Sequence, residues 1–175
     1  LPHGLDTEIG ERGVQLSAGA KEATGRWLLF LHADTTLEPF WSTTVTSFMR
    51  GKGNGLKAAY FTFALDDASA AARRVEKLAN WRSRKLGLPY GDQGLLVSRT
   101  MYHSLVGYLD LPIMEDVDMA RRIGRQNLVE LPATATTSAE RYRRDGYWWR
   151  PVKNLCLLTL YFLGVSPKRL ARMYG

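Results

Sequence analysis

The run Trp27-Leu28-Leu29-Phe30-Leu31-His32-Ala33-Asp34-Thr35 joins five apolar residues to two side chains that can ligate a metal. Buried strands of open α/β sheets read as continuous apolar runs. Ligands of such sheets bind just beyond the carboxyl ends of the strands. His32 and Asp34 therefore emerge where a ligand is expected. Two positions apart on extended backbone, they point the same way and could face one ion. The same residues also suit a buried strand followed by an Asp that caps a turn or the next helix.

Three further segments carry chemistry-bearing residues. Tyr90-Gly91-Asp92-Gln93-Gly94 is a glycine-bracketed polar loop. A tight turn explains its glycines, but Gln93 is not a usual turn residue. Met114-Glu115-Asp116-Val117-Asp118 places three carboxylates ahead of Arg121, Arg122 and Arg125. Acids at a helix start complement the macrodipole, and Asp118 with Arg122 forms an i,i+4 pair. Adjacent Glu115 and Asp116 cannot share one solvent-facing side, so one is expected in a cleft. A carboxylate there can take a proton from an alcohol when its pKa is tuned to the working pH. Last, Thr137-Ser138-Ala139-Glu140-Arg141-Tyr142-Arg143-Arg144 is basic. It reads as a phosphate-binding set of arginines or as a solvated basic face.

These segments need a scaffold, and the apolar pattern supplies one. Residues 1–13 read as loop, 16–24 as a short helix ended by Gly25, and 27–31 as a buried strand. The spacing predicts helices over 38–50, 67–86, 99–106 and 114–125, with strands over 57–65, 94–98 and 128–131. Strands alternating with helices imply an α/β fold. The chain has 175 residues, 45% hydrophobic and 23% charged, which suits a single domain with a real core. Its formal charge of +7 and pI near 9.7 favour an anionic partner. The single cysteine, Cys156, excludes an internal disulfide and is expected to be buried and inert. A reducing, cytoplasmic setting is expected from that cysteine usage.

In this order the segments resemble the inverting family-2 glycosyltransferases of the GT-A fold. Within them the chain is most similar to small bacterial enzymes of the arsenosugar-biosynthesis type. The resemblance rests on Arg12-Gly13-Val14-Gln15-Leu16-Ser17-Ala18-Gly19-Ala20, the His32-Ala33-Asp34 run, Gly91-Asp92-Gln93-Gly94, Glu115-Asp116-Val117-Asp118 and Thr137-Ser138-Ala139-Glu140-Arg141. The ending Gly164-Val165-Ser166-Pro167-Lys168-Arg169-Leu170-Ala171-Arg172 adds to it.

The resemblance implies a Rossmann-like, mainly parallel sheet flanked by helices. It implies transfer of a sugar from a nucleotide-diphosphate donor to an acceptor hydroxyl, with inversion. Asp34 matches the last carboxylate of a metal-holding Asp-x-Asp motif, and His32 stands in place of the first. Imidazole suits Mn²⁺ better than Mg²⁺, although either is a candidate cofactor. Asp116, or failing it Glu115, matches the base. Substrate contacts fall to Arg12, Gln15, Asp92, Gln93, Arg141 and Arg144, with Gln93 in a donor–acceptor pocket. Family members begin with base-binding strands and a further acidic loop, which the residues before Arg12 do not match. The expectation is an N-terminally incomplete catalytic domain over 1–146 and a helical tail over 147–175.

The tail holds an apolar run at 155–163, too short to span a membrane. It is expected to form an apolar helix, buried in the chain or a homodimer, or lying against the surface of the inner membrane. The alternative to an enzyme is a basic, aromatic module that binds nucleic acid or a membrane surface without catalysis. The acidic helix start would repel phosphate, which argues against nucleic acid.

Overall fold

The computed structural model describes residues 5–9 and 20–174. Six strands form one sheet: β1 (Leu5–Ile9), β2 (Trp27–Leu31), β3 (Thr35–Leu37), β4 (Ala58–Leu65), β5 (Leu95–Ser98) and β6 (Leu128–Thr137). Their order is β1-β2-β5-β4-β6-β3. The helices are α1 (Trp41–Arg50), α2 (Ala70–Leu86), α3 (Arg99–Ser104), α4 (Glu115–Ile123), α5 (Glu140–Asp145), α6 (Trp149–Phe162) and α7 (Pro167–Tyr174).

The sheet is mixed rather than mainly parallel. β1–β2 and β4–β6 pair in parallel, while β5 runs against both β2 and β4, and β3 against β6. α2 lies between β4 and β5 in the chain, yet β5 enters the sheet against both of its neighbours, with Gly94 at φ 62° immediately before it.

β2 is buried at all five positions because both faces of the sheet are covered. Leu28 and Phe30 face Met101, Tyr102, Tyr108, Met119 and Ile123 from α3, α4 and the loop between them. Trp27 and Leu29 face Val45 and Phe48 of α1. Period-2 alternation thus feeds two cores, and each fully buried large side chain contributes about 1.5–3 kcal/mol.

α2 starts at Ser69, whose hydroxyl accepts the Ala72 N–H, and stops at Gly87 in the left-handed region. Its inner face is partly polar for a reason. β4 pairs with β5 only at Ala58 and Ala59, so its edge runs on unpaired. Asn80 accepts from the Phe63 N–H at 2.9 Å and donates to the Phe63 carbonyl at 3.0 Å. Glu76 accepts from the Leu65 N–H at 2.8 Å.

Two sequence expectations change at the C-terminal end. The 155–163 run is helical, but α6 is not an apolar helix buried all round. Only Leu157 and Leu158 are buried, and Arg150, Lys153 and Asn154 lie on the same helix. Cys156, expected in the core, is exposed on its outer side. Among the described residues no helix is long and apolar enough to cross a membrane.

Candidate active site

Three chain segments meet beyond the carboxyl end of β2. The first is the turn after β2, closed by the Thr35 N–H donating to the His32 carbonyl at 3.1 Å. His32 and Asp34 therefore stand on a turn, not on extended backbone. The imidazole packs against Gly91, where an added Cβ would lie 2.2 Å from Nε2. Asp34 faces the Arg141 guanidinium at 3.7 Å.

The second segment is the loop before β5. The Gly91 N–H donates to Asp116 Oδ2 at 3.0 Å. The Asp92 carbonyl accepts from the Thr137 hydroxyl at 3.3 Å, and Thr137 in turn meets the Thr35 hydroxyl at 2.8 Å. Asp92 Oδ1 is shielded from solvent and finds no hydrogen-bond donor among the described residues.

The third segment is the start of α4. Met114 takes the left-handed region at φ 67° immediately before Glu115. Such a conformation costs a residue with a Cβ about 1–2 kcal/mol. It turns Glu115 and Asp116 back toward the Gly91 loop. Asp116 Oδ1 also accepts the Val117 N–H at 2.7 Å. The expected i,i+4 pair forms away from this cleft, with Arg122 2.6 Å from Asp118.

Electrostatics tie these groups together. Burial pushes the Asp92 carboxyl up, aided by the charges of Asp116 and Asp34 and opposed by Arg82 and His32. Burial likewise raises Glu115, with the Asp116 charge adding to it and His32 opposing. His32 thus acts on the carboxylates of both the Gly91 loop and the α4 start. Among the described residues no three His, Cys, Asp or Glu side chains group closely enough to hold a metal ion unaided.

One consequence is measurable. The raised Asp92 pKa means that the folded protein binds its proton more tightly than the unfolded chain. Ionising Asp92 above roughly pH 4 therefore costs stability. Asp92→Asn is expected to raise the unfolding temperature near neutral pH, and this advantage should vanish as the pH falls to about 4. A lower midpoint near neutral pH would instead mean that the Arg82 charge holds Asp92 in place.

Not every residue singled out in the sequence joins the cleft. Gln93 is wholly buried and faces the core. Its amide donates to the Phe61 carbonyl at 3.1 Å, and its oxygen accepts the Ser83 hydroxyl at 2.5 Å. It is not a pocket residue here, because its hydrogen bonds seal the β4 edge. The basic run is also not a free cationic face. Arg143 pairs with Asp66 and Asp67, while Arg144 and Arg150 pair with Asp145. Arg144 is thereby engaged with its own neighbour, leaving Arg141 as the member of the run that reaches the site. Arg12 and Gln15 lie outside the described residues.

Sequence reasoning missed other members. Arg82 lies over the Tyr90 ring, 3.3 Å from its centroid, and its charge acts on Asp92. Tyr108 is buried beside Phe30, and the Asp116 and Glu115 charges help to raise its pKa. Arg82 comes from α2 and Tyr108 from the loop before α4, and no spacing rule links either to the cleft. An arginine late in α2, four residues before Leu86, is the hint the sequence offers.

No protein-family model matches the sequence, and no curated protein does. The chain is similar in structure to GalNAc-T7, solved with UDP, GalNAc and Mn²⁺. The TM-score is 0.51 at 13% identity, covering 72% of this chain and 30% of that one. The chain thus spans about a third of the length of that neighbour. The likeness supports a GT-A-like fold. At such identity the likeness extends to the fold alone.

Proposed function

We propose that the protein is an inverting glycosyltransferase using a nucleotide-diphosphate sugar. The observation that carries this reading is the meeting of His32, Asp34, Asp92, Glu115 and Asp116 at the carboxyl end of β2. The strand end is where open α/β sheets bind ligands. The GT-A type of fold supports it, and so does a neighbour solved with UDP, GalNAc and Mn²⁺. The resemblance of the sequence motifs to the arsenosugar-type subgroup adds the family expectation. In this reading 1–146 is the catalytic unit and 147–175 a helical tail.

The chemistry asked of this chain is modest. Asp116 accepts the proton of the acceptor hydroxyl as its oxygen attacks the anomeric carbon. The bond to the diphosphate oxygen breaks on the opposite face, so one displacement inverts the centre. Arg141 exchanges its contact with Asp34 for the departing diphosphate. Asp92 and Glu115 border the sugar.

In this reading His32 and Asp34 would supply the protein's part of a metal site. One imidazole and one carboxylate suit Mn²⁺ or Mg²⁺ when substrate phosphates complete the shell. His32 and Asp34 would hold the cation, which when bound neutralises charge on the diphosphate.

A thermal-shift series tests the reading, using UDP-, GDP- and dTDP-sugars with and without Mn²⁺. One donor should stabilise the protein only when Mn²⁺ is present. The gain is about 2.7 kcal/mol at a concentration roughly a hundred times Kd. Asp34→Ala should remove the Mn²⁺ dependence. No stabilisation by any donor with Mn²⁺ would refute the proposal.

A further inference from the structure

α6 buries Leu157 and Leu158 yet leaves a second set of apolar side chains on its outer side. Its charged Arg150 turns inward, reaching Asp145 at 3.0 Å and lying over the Tyr142 ring. Its outer side presents Trp149, Val152, Leu155 and Cys156, with Trp148 just ahead of the helix and Leu163 just after it. Leu155 is 61% and Leu163 75% exposed, and both tryptophans exceed 65%. Thr159 lies on the same side, but its hydroxyl is spent on the Leu155 carbonyl at 2.8 Å. Spacings of three, four and seven make this one continuous stripe. A contiguous apolar stripe of this kind marks an interaction surface.

Charge identifies the occupant. Residues 146–175 contain five basic side chains, Arg150, Lys153, Lys168, Arg169 and Arg172, and no Asp or Glu. α7 packs on α6, anchored by the fully buried Leu170, and leaves Lys168, Arg169 and Arg172 exposed. A second copy meeting this face by two-fold symmetry would set these basic helices against each other. A nucleic acid would use the cations and the aromatic rings but would leave Val152, Leu155 and Leu163 in water. A bilayer with anionic headgroups takes all three features: aliphatic side chains below the headgroups, tryptophans at the boundary and cations above.

We propose that the outer face of α6, with the exposed basic residues of α7, docks the protein on an anionic lipid surface. α6 lies in the plane of the interface and does not span it. No residue of the candidate active site takes part, so this proposal stands or falls apart from the sugar-transfer reading.

Vesicle co-sedimentation of the whole protein tests it. The probes are vesicles of phosphatidylcholine alone and vesicles with added phosphatidylglycerol, each at low and high salt. The protein should pellet with the anionic vesicles at low salt and shift its tryptophan emission to the blue. High salt should weaken the binding, and phosphatidylcholine alone should retain little. The double variant Leu155→Glu, Leu163→Glu changes side chains that are already exposed, so it should fold normally. It should lower the partition coefficient by about tenfold or more, the loss expected when large apolar side chains stop being buried. Failure to pellet at low salt would overturn the proposal, as would pelleting that the double variant does not reduce. A concentration-dependent dimer that the double variant abolishes would assign the face to a second copy instead.

Discussion

Asp116→Asn should lower turnover by roughly 100- to 10,000-fold, the usual contribution of a positioned general base. Donor binding, read by the thermal shift with Mn²⁺, should survive. Asp116 is placed for this work by two backbone contacts, from Gly91 and Val117. Each carboxylate oxygen keeps a further lone pair for an acceptor hydroxyl. The asparagine keeps an oxygen for one of these N–H groups and sets its NH2 against the other, so the unfolding temperature should fall by a few degrees.

Glu115→Gln is the control. Glu115 shares the cleft, and burial raises its pKa. If Asp116 is the base, this variant should lose less than about tenfold in turnover. A large loss in Glu115→Gln with normal turnover in Asp116→Asn would reverse the two roles.

Gln93→Ala should have the largest effect on stability. The Gln93 side chain is 0% exposed and bonded at both ends. Alanine takes the Gln93 donor from the Phe61 carbonyl, leaves the Ser83 hydroxyl only the Ala79 carbonyl as partner, and opens a cavity. Unpaired buried groups cost about 1–3 kcal/mol, and the cavity adds to that. A loss of about 3 kcal/mol would lower the unfolding temperature by roughly 6–12 °C. Chemical denaturation with a matched thermal scan measures it. If Gln93 were instead a donor-pocket residue, stability would be unchanged and KM for the donor would rise.

Different parts of the molecule were legible to different degrees. β2, β4, β5 and α2 follow from apolar patterning, because burial on the sheet imposes it. β1 does not: Leu5–Ile9 has three polar residues between two apolar ones and no apolar periodicity, and its strand state comes from pairing with β2. β6 reads as ending at Leu131 because Pro132 cannot donate to a ladder. The strand absorbs the proline through a register shift, with Phe61 opposite Leu131 but Thr62 opposite Thr134. Its extension also creates the pairing partner of β3.

The candidate site divides the same way. His32, Asp34 and the Glu115-Asp116 pair stand out because strand ends and helix starts are local features. The fates of Gln93 and Arg143 are not local. Arg143 pairs with acids more than seventy residues away, and Gln93 bonds to a strand thirty-two residues back. Residue type alone said only that these groups are polar.

The polar row from Gln93 through Asn80 to Glu76 has one more consequence. An exposed strand edge is a template on which another chain can pair, and so a route to aggregation. Beyond Ala59, β4 would offer such an edge. Side chains from α2 and the Gly91 loop occupy its hydrogen-bonding groups at Phe61, Phe63 and Leu65 instead. An incoming peptide would meet these groups already bonded, so this stretch of the sheet resists strand exchange without a seventh strand.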